Sequence, residues 1–178
     1  MPVPLALLLV LRAKPRSIFL FAGLPLIIAG ECLRVWALRH IGPTTRTREI
    51  CADLIVTSGP YRFSRNPLYL ANLLKIAGIT IAAGDVLSGI LIMLFYALEF
   101  VSLIRFEEDF LASRFPIQFN RYKKLVPVFF PTGRYLEEVK EPQWSIKDAI
   151  ISERKTFMST GIILSILAAK SLFNKRNV

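Results

Sequence analysis

Four long runs of apolar residues constrain this chain more than any other feature. They cover Ser17–Ile41, Pro67–Ala83, Val86–Ile104 and Thr156–Phe173, and a shorter run covers Val3–Leu11. A helix of about 17 to 19 residues is roughly 25 to 28 Å long, close to the roughly 30 Å of a bilayer core. The runs lack the alternation of a half-buried strand. We therefore predict an all-α, polytopic transmembrane helix bundle of four or five spans.

The residues between the runs predict where the helices begin and end. Pro67 suits the first turn of a helix, where a missing N–H group has no consequence. Residues 82–85 read Ala-Ala-Gly-Asp, which suits a tight turn and predicts an antiparallel hairpin of the two spans around it. Apolar residues keep helical spacing over residues 105–115, so the fourth run should continue as an amphipathic helix. The prolines of residues 127–131 should then leave an extended strip that docks on another part of the chain.

Charge predicts which side of the membrane each segment faces. The chain has 23 Lys and Arg against 13 Asp and Glu, a formal net charge of +10. In a soluble protein this excess would suggest nucleic acid, but beside long apolar runs it favours membrane lipids as partners instead. Fifteen of the basic residues lie within residues 39–66 and 105–155, and six lie in the segments expected on the opposite side. The positive-inside rule therefore places residues 42–66 and 105–155 in the cytoplasm of an integral, multi-pass membrane protein.

The scarcity of histidine and cysteine excludes several chemistries. His40 is the single histidine, and Cys32 and Cys51 are the only cysteines. These residues do not supply a Cys/His zinc site, a Ser-His-Asp triad or a disulfide framework. We accordingly expect no metal ligands.

Four charged residues lie within the predicted spans. Glu31 and Arg34 lie in the second apolar run, Lys75 in the third and Glu99 in the fourth. Ions within a span are energetically unfavourable and usually face the interior of the bundle. One interpretation is neutralisation by pairs, Glu31 with Arg34 and Lys75 with Glu99; the other is a functional polar cavity. The sequence is compatible with both.

Four short motifs occupy or border the predicted cytoplasmic segments. In chain order they are Leu33-Arg34-x-Trp36-Ala37, Thr57-Ser58-Gly59-Pro60-Tyr61-Arg62-x-x-Arg65-Asn66-Pro67-x-Tyr69, Glu107-Glu108-x-x-Leu111-x-x-x-Phe115 and Tyr122-x-x-x-Val126-Pro127-x-Phe129-x-Pro131. As a set, with their order, spacing and placement beside spans, they resemble the isoprenylcysteine carboxyl methyltransferase and phospholipid methyltransferase family over residues 30–131, the family core.

This resemblance implies an integral membrane methyltransferase that uses S-adenosylmethionine and takes a lipophilic substrate from the bilayer. Cytoplasmic segments would bind the cofactor, without a Rossmann domain, and the chain indeed lacks the Gly-rich strand-to-helix turn of that fold. The implied cofactor-binding residues are Tyr61, Arg65, Asn66, Pro67, Tyr69, Glu107 and Glu108. The implied catalytic residues are Arg114, near the reacting group of the substrate, and Glu108.

Five positions depart from the family pattern. Asn66 stands where the family usually has His, and Ala71 and Pro116 stand where it usually has Gly. Phe119 replaces a common Tyr, and Val128 replaces a common Arg. Asn donates and accepts hydrogen bonds as His does, but it cannot be charged.

The residue types suit methyl transfer to either of two acceptors. Arg and a helix N-terminus suit the cofactor carboxylate, Glu suits its ammonium or ribose hydroxyls, and Tyr faces stabilise a sulfonium. A carboxylate acceptor, as in isoprenylcysteine, needs an Arg to hold it, whereas a phospholipid amine must lose a proton, which a Glu accepts. A membrane sterol-type reductase that uses NADPH, and a family member without turnover, are the remaining alternatives.

Overall fold

The computed structural model describes residues 3–42, 55–130, 142 and 144–176, and all regular structure within them is helical. This confirms the all-α prediction. The helices are α1 (Val3–Arg12), α2 (Ser17–Ile41), α3 (Pro67–Ala83), α4 (Val86–Arg114), α5 (Pro116–Leu125), α6 (Ile146–Ser152) and α7 (Arg154–Arg176), with a short 3₁₀ helix at Gly59–Arg62.

Three of these helices are long and apolar enough to cross a membrane. They are α2, α4 and the Arg154–Asn174 part of α7, and the apolar helix α3 is shorter at 17 residues. Many of their large apolar side chains lie on the outside, such as Phe21 at 73% exposure and Ile162 at 58%. Apolar side chains in such numbers are unusual on a water-facing surface and suit contact with lipid.

The predicted bounds of α2 and α3 are confirmed, whereas α7 begins two residues before and ends three residues after the predicted run. Helix α3 begins at Pro67, and only two residues separate its last residue, Ala83, from the start of α4. Gly84 has a φ of 67°, a conformation that favours glycine, and makes this tight turn possible. Helix α4 continues through residues 105–114 as one 29-residue helix. Helix α5 follows and ends at Leu125, before the proline-containing strip.

The chain divides into two compact units. The first comprises Met1–Glu31, Asn72–Leu98 and Arg154–Val178, and the second comprises Cys32–Ala71 and Glu99–Glu153. The interpretation of residues 1–178 as one methyltransferase domain stays a prediction.

In the first unit, two glycines bring α2 and α3 into backbone contact. A Cβ atom on Gly78 would lie 2.6 Å from the carbonyl oxygen of Gly23 and 2.9 Å from the backbone N of Ile27. A Cβ atom on Gly23 would likewise collide with the carbonyl oxygen of Gly78. Small residues let membrane helices approach this closely, so dispersion contacts between the two backbones stabilise the pair.

Polar contacts also join the helices of the first unit. Glu31 Oε1 lies 3.4 Å from Lys75 Nζ and accepts a 3.1 Å hydrogen bond from Thr160 Oγ1, which links α2, α3 and α7. Lys170 Nζ donates to the backbone carbonyl oxygens of Val10 and Leu11 at 2.8 and 3.2 Å, so a cation satisfies the C-terminal end of α1. Pairing of this kind offsets the unfavourable burial of charge.

The second unit is built around aromatic residues of α5. Phe119, Tyr122 and Val126 are buried, and Ile55 and Leu111 pack against them. This cluster holds α5 and the start of the following strip against the C-terminal part of α4. It thereby positions the strip beside the residues that precede α3.

Candidate functional site

An ion pair joins Arg65, two residues before the start of α3, to the C-terminal part of α4. Arg65 Nε lies 2.9 Å from Glu108 Oε1, and the two side chains are only 7% and 15% exposed. Lys123 of α5 approaches the other carboxylate oxygen of Glu108 at 3.4 Å. Two residues that the family resemblance assigns to the cofactor site therefore lie in direct contact within the second unit.

Glu107, the acid that precedes Glu108, contacts the first turn of α3. The Tyr69 hydroxyl donates a 2.7 Å hydrogen bond to Glu107 Oε1, and the Tyr69 ring lies 5.1 Å from the Phe100 ring. Successive residues of a helix point about 100° apart, so Glu107 and Glu108 contact different residues of the segment around Pro67. Pro67 is fully buried as the first residue of α3.

The strip after α5 docks on the residues before α3 through its backbone. Arg65 N donates to Pro127 O at 2.9 Å, and Arg65 Nη1 donates to Val126 O and Lys123 O at 2.5 and 3.2 Å. Val128 O accepts hydrogen bonds from Ser64 Oγ at 3.1 Å and from Asn66 Nδ2 at 3.3 Å. These contacts confirm that the strip docks. They also give Asn66, which replaces the family histidine, a role as hydrogen-bond donor.

Tyr61 contributes a buried hydroxyl without a hydrogen-bond partner among the described residues. Burial raises the pKa of the Tyr61 phenol well above its ordinary value, Tyr122 and Glu107 raise it further, and the positive charge of Arg34 opposes them. The hydroxyl therefore stays protonated at neutral pH and remains a donor. Tyr122, whose pKa is also raised by burial, donates a 2.7 Å hydrogen bond to Tyr61 O and fixes that backbone.

The C-terminal end of α2 holds the 3₁₀ helix that carries Tyr61. Ser58 Oγ and His40 Nδ1 form a 2.9 Å hydrogen bond, and the Trp36 and Phe63 rings lie 6.4 Å apart. Gly59 has a φ of 57°, and a Cβ atom there would collide with the imidazole of His40. From the sequence, His40 served only in the exclusion of a zinc site and a Ser-His-Asp triad. In the structure it holds the residue before the 3₁₀ helix through its hydrogen bond to Ser58.

Arg34 pairs with an acid that no sequence motif contains. Its Nε and Nη2 atoms lie 2.7 and 3.3 Å from the two carboxylate oxygens of Glu153, whose side chain is 0% exposed. The partner considered from sequence spacing was Glu31, three residues away. Glu153 lies outside the motif region, so the only signal for it was that a buried arginine needs an acid.

Arg114 is the predicted site residue that the structure does not bring into this cluster. It is the last residue of α4 and is exposed. Six residues separate it from Glu108, about 9 Å along the helix axis. In the described ranges, no hydrogen bond or ion pair joins it to the other predicted residues, so its role stays a prediction. Pro131 of the last motif lies outside the described residues.

Seven predicted residues remain, and five of them form the candidate site, which we define as Tyr61, Arg65, Tyr69, Glu107 and Glu108; Asn66 and Pro67 lie beside it and shape its backbone. Its free hydrogen-bonding groups suit a polar cofactor with both acceptors and donors. Tyr61 offers the unpartnered buried hydroxyl, and Arg65 bonds through Nε and Nη1, which leaves Nη2 without a bond to any described residue. An unpartnered buried donor is costly, so a ligand acceptor beside Tyr61 would stabilise the fold. The carboxylates of Glu107 and Glu108 suit the ammonium or ribose hydroxyls of S-adenosylmethionine.

Comparison with known proteins connects this site to a family. The sequence model of the phospholipid methyltransferase family matches residues 18–118, more than half of the 178 residues. The cobalt-zinc-cadmium resistance protein CzcN of Cupriavidus metallidurans is 43% identical over 79 residues, 44% of this chain and 36% of that protein. The nickel-cobalt-cadmium resistance protein NccN of Alcaligenes xylosoxydans xylosoxydans is 29% identical over 124 residues, 66% of this chain and 55% of that protein.

The chain thus spans about a third and about half of the lengths of these two relatives. No solved structure matches it. The family match includes every residue of the candidate site, from Tyr61 to Glu108. By sequence match, motif and helical architecture together, the chain belongs to the phospholipid methyltransferase family.

Proposed function

We propose that this chain is an integral membrane methyltransferase that transfers a methyl group from S-adenosylmethionine to a lipophilic acceptor. The observation that carries the proposal is the convergence of Arg65 on Glu108 and of Tyr69 on Glu107, at 2.9 and 2.7 Å. These four residues come from two separate family motifs, and the family match covers both. Membership of the family supports the reaction type, and the apolar helices support an acceptor that resides in the bilayer.

In this proposal the candidate site binds and orients the cofactor. S-adenosylmethionine supplies an electrophilic methyl group on a sulfonium. Tyr61 donates its otherwise unpartnered hydroxyl to the cofactor, and Arg65 Nη2 binds the carboxylate beside the start of α3. Glu107 accepts from the ammonium or a ribose hydroxyl while Tyr69 fixes its orientation. Since methyl transfer is an in-line displacement, most of the rate enhancement comes from this positioning.

The acceptor we favour is a carboxylate like that of isoprenylcysteine, held by Arg114 near the end of α4. A phospholipid amine is the variant, and there Glu108 would accept the proton that the amine loses. The two products differ in chemistry, because a methyl ester releases methanol in base and a methylated amine does not. Label transferred to a lipid extract and then released by alkali as volatile methanol supports the carboxylate, whereas label that stays non-volatile after alkali supports the amine.

The reaction itself is tested with membranes that contain the full chain and S-adenosylmethionine labelled in its methyl group. We expect label in the lipid extract, with at least a tenfold loss in Tyr69→Phe and Glu108→Gln. Asp109→Asn is the matched control, because Asp109 is exposed and adjacent to Glu108. Transfer at the wild-type level in both site variants would refute the residue assignment. If the chain binds S-adenosylmethionine but transfers no label, the result would support a family member without turnover. If it binds NADPH and not S-adenosylmethionine, the result would support a reductase.

The names of the relatives add one further measurement. Those proteins are named for resistance to cobalt, zinc, cadmium and nickel. Within the described ranges, no group of three or more His, Cys, Asp or Glu side chains could hold a metal ion. We therefore propose that any contribution to metal tolerance depends on methyl transfer. Growth in cobalt or cadmium salts should then fall in Glu108→Gln and stay unchanged in Asp109→Asn.

The orientation of the motif segments belongs to the same proposal. We place the segments around Arg65 and Glu108 on the cytoplasmic side, on the basis of the Lys and Arg distribution. A cysteine introduced at exposed Asn120 of α5 should be protected from impermeant thiol reagents in intact cells.

A further inference from the structure

Glu153 is a completely buried acid in a part of the chain that the family match does not reach. It lies between α6 and α7, 35 residues after the end of the match at residue 118, and its side chain is 0% exposed. Removing a carboxylate from water is strongly unfavourable unless a cation and hydrogen bonds compensate. The two-point contact with Arg34 provides this compensation, at 2.7 and 3.3 Å.

A second contact ties the same C-terminal segment to α2. Trp144 N donates a 2.9 Å hydrogen bond to Arg39 O, near the end of that helix. Helix α6 between the two contacts is capped at its N-terminus by Ser145, whose hydroxyl accepts from Asp148 N at 3.1 Å. The segment from Trp144 to Glu153 is thus an ordered element that contacts α2 at two positions within the second unit.

Arg34 belongs to the part of α2 that holds the residues on both sides of Tyr61. It lies on the same helix as Trp36 and His40, which contact Phe63 and Ser58 on either side of Tyr61. The positive charge of Arg34 acts on the Tyr61 hydroxyl, and the negative charge of Glu107 acts on it with the opposite sign. Arg34 is therefore a cation in the surroundings of an unpartnered buried donor.

We propose that Glu153 is a positioning residue for this site: it fixes the guanidinium of Arg34 beside Tyr61, so the segment after the family core completes the cofactor site. The inference rests on the proposed function and extends it to a residue that no motif contains. In this proposal Glu153 acts on the site through Arg34, because its carboxylate is buried against that guanidinium. Substitution of Glu153 should therefore weaken cofactor binding only while Arg34 is present.

A double-mutant cycle on the dissociation constant of S-adenosylmethionine tests this, with the full chain in nanodiscs. Glu153→Leu should raise the dissociation constant at least tenfold, and Arg34→Met should do the same. Glu153→Leu combined with Arg34→Met should be no worse than Arg34→Met alone, because the two residues act as one unit. Lys155→Met, at an exposed position two residues from Glu153, is the matched control and should change the constant less than twofold.

Protein stability is measured on the same samples. Removing one partner of a buried ion pair is destabilising, whereas replacing both by apolar residues is often neutral, so the double variant should unfold near the wild-type temperature. A folded double variant that binds S-adenosylmethionine as tightly as the wild type would overturn the positioning role. Strictly additive effects of the two substitutions would overturn it as well. A wild-type chain that does not bind S-adenosylmethionine would refute the proposed function instead.

Discussion

Arg65 Nε and Glu108 Oε1 lie 2.9 Å apart although 43 residues separate them in the chain. The same guanidinium donates through Nη1 to the backbone oxygens of Lys123 and Val126. One side chain therefore joins the start of α3, the C-terminal part of α4 and the strip after α5. A planar guanidinium makes such divergent contacts, and a lysine ammonium does not reproduce their geometry.

Arg65→Ala should lower the free energy of unfolding by about 3 to 5 kcal/mol, because it leaves Glu108 without its closest cation in a mostly buried position. Arg65→Lys should recover only part of this loss. Thermal or denaturant unfolding in detergent measures both. Arg105→Ala, at an exposed arginine of α4, serves as the control and should stay within about 0.5 kcal/mol of the wild type. An Arg65→Ala protein as stable as this control would contradict the assignment.

Tyr61→Phe should affect stability and cofactor binding in opposite directions. Without ligand, the substitution removes an unpartnered buried hydroxyl and should stabilise the fold by about 1 kcal/mol. With S-adenosylmethionine, it removes a proposed donor, so the increase in melting temperature on cofactor addition should shrink. Melting curves with and without cofactor measure both effects. A Tyr61→Phe protein with an unchanged ligand-induced increase would exclude the hydroxyl from the cofactor site.

Asn66→Asp should loosen the strip after α5. Asn66 Nδ2 donates to Val128 O, and Asn66 is 7% exposed, so an aspartate would place a buried carboxylate against a carbonyl oxygen. The loss should be about 2 kcal/mol or more. Amide hydrogen exchange over residues 126–130 should become faster than in the wild type. Asn120→Asp on the exposed face of α5 should leave that exchange unchanged.

Gly78→Ala should destabilise the contact between α2 and α3. The new methyl group would lie 2.6 Å from the carbonyl oxygen of Gly23, so the helices would have to separate. We expect a loss of about 1 to 3 kcal/mol, the usual range for overpacking. Gly161→Ala in α7 is the matched control, because nothing lies within 4 Å of its Cβ position. If both substitutions have equal effects on unfolding, the close approach of the two backbones is wrong.

Asp85 should make stability depend on pH at the turn between α3 and α4. A 2.6 Å hydrogen bond from Ser88 and then the guanidinium of Arg12 at 3.0 Å lower the pKa of the Asp85 carboxyl. A lowered pKa in the folded state stabilises the protein above the ordinary pKa of about 3.9, and this contribution disappears as the pH falls below it. Between pH 5 and 3, the melting temperature of Asp85→Asn should therefore fall less than that of the wild type.

Salt provides the control for that effect. Arg12 is 54% exposed, so added salt should weaken its interaction with Asp85. At high ionic strength the difference between the wild type and Asp85→Asn should become smaller. Curves that stay parallel at all pH values would show that Asp85 does not carry the effect.

The start of α3 and the extension of α4 were predictable because they depend on neighbouring residues. Pro67 is compatible with a first helical turn, and the apolar spacing after Ile104 continues that of the preceding span. The motifs also brought Arg65 and Glu108 into one predicted site, through resemblance to a family. Neither the local sequence pattern nor the family resemblance indicated that Arg65 and Glu108 contact each other directly.

The partners of buried charges were less predictable. Arg34 lies three residues from Glu31, yet it contacts Glu153 at a separation of 119 residues, and Glu31 contacts Lys75 at 3.4 Å. The sequence also provided no indication that the Tyr61 hydroxyl is buried without a partner among the described residues, since its burial depends on several elements of the second unit. The spacing of residues along a helix predicts ion pairs only between residues that are close in the sequence.

The apolar runs are enough to predict membrane helices close to the observed bounds, because the length and polarity of a run decide whether it suits a bilayer. Which charges pair, which hydroxyl stays unpartnered and how the C-terminal segment reaches Arg34 depend on the folded arrangement. Buried charges and donors must find partners in three dimensions, and packing brings distant parts of the chain within hydrogen-bond distance.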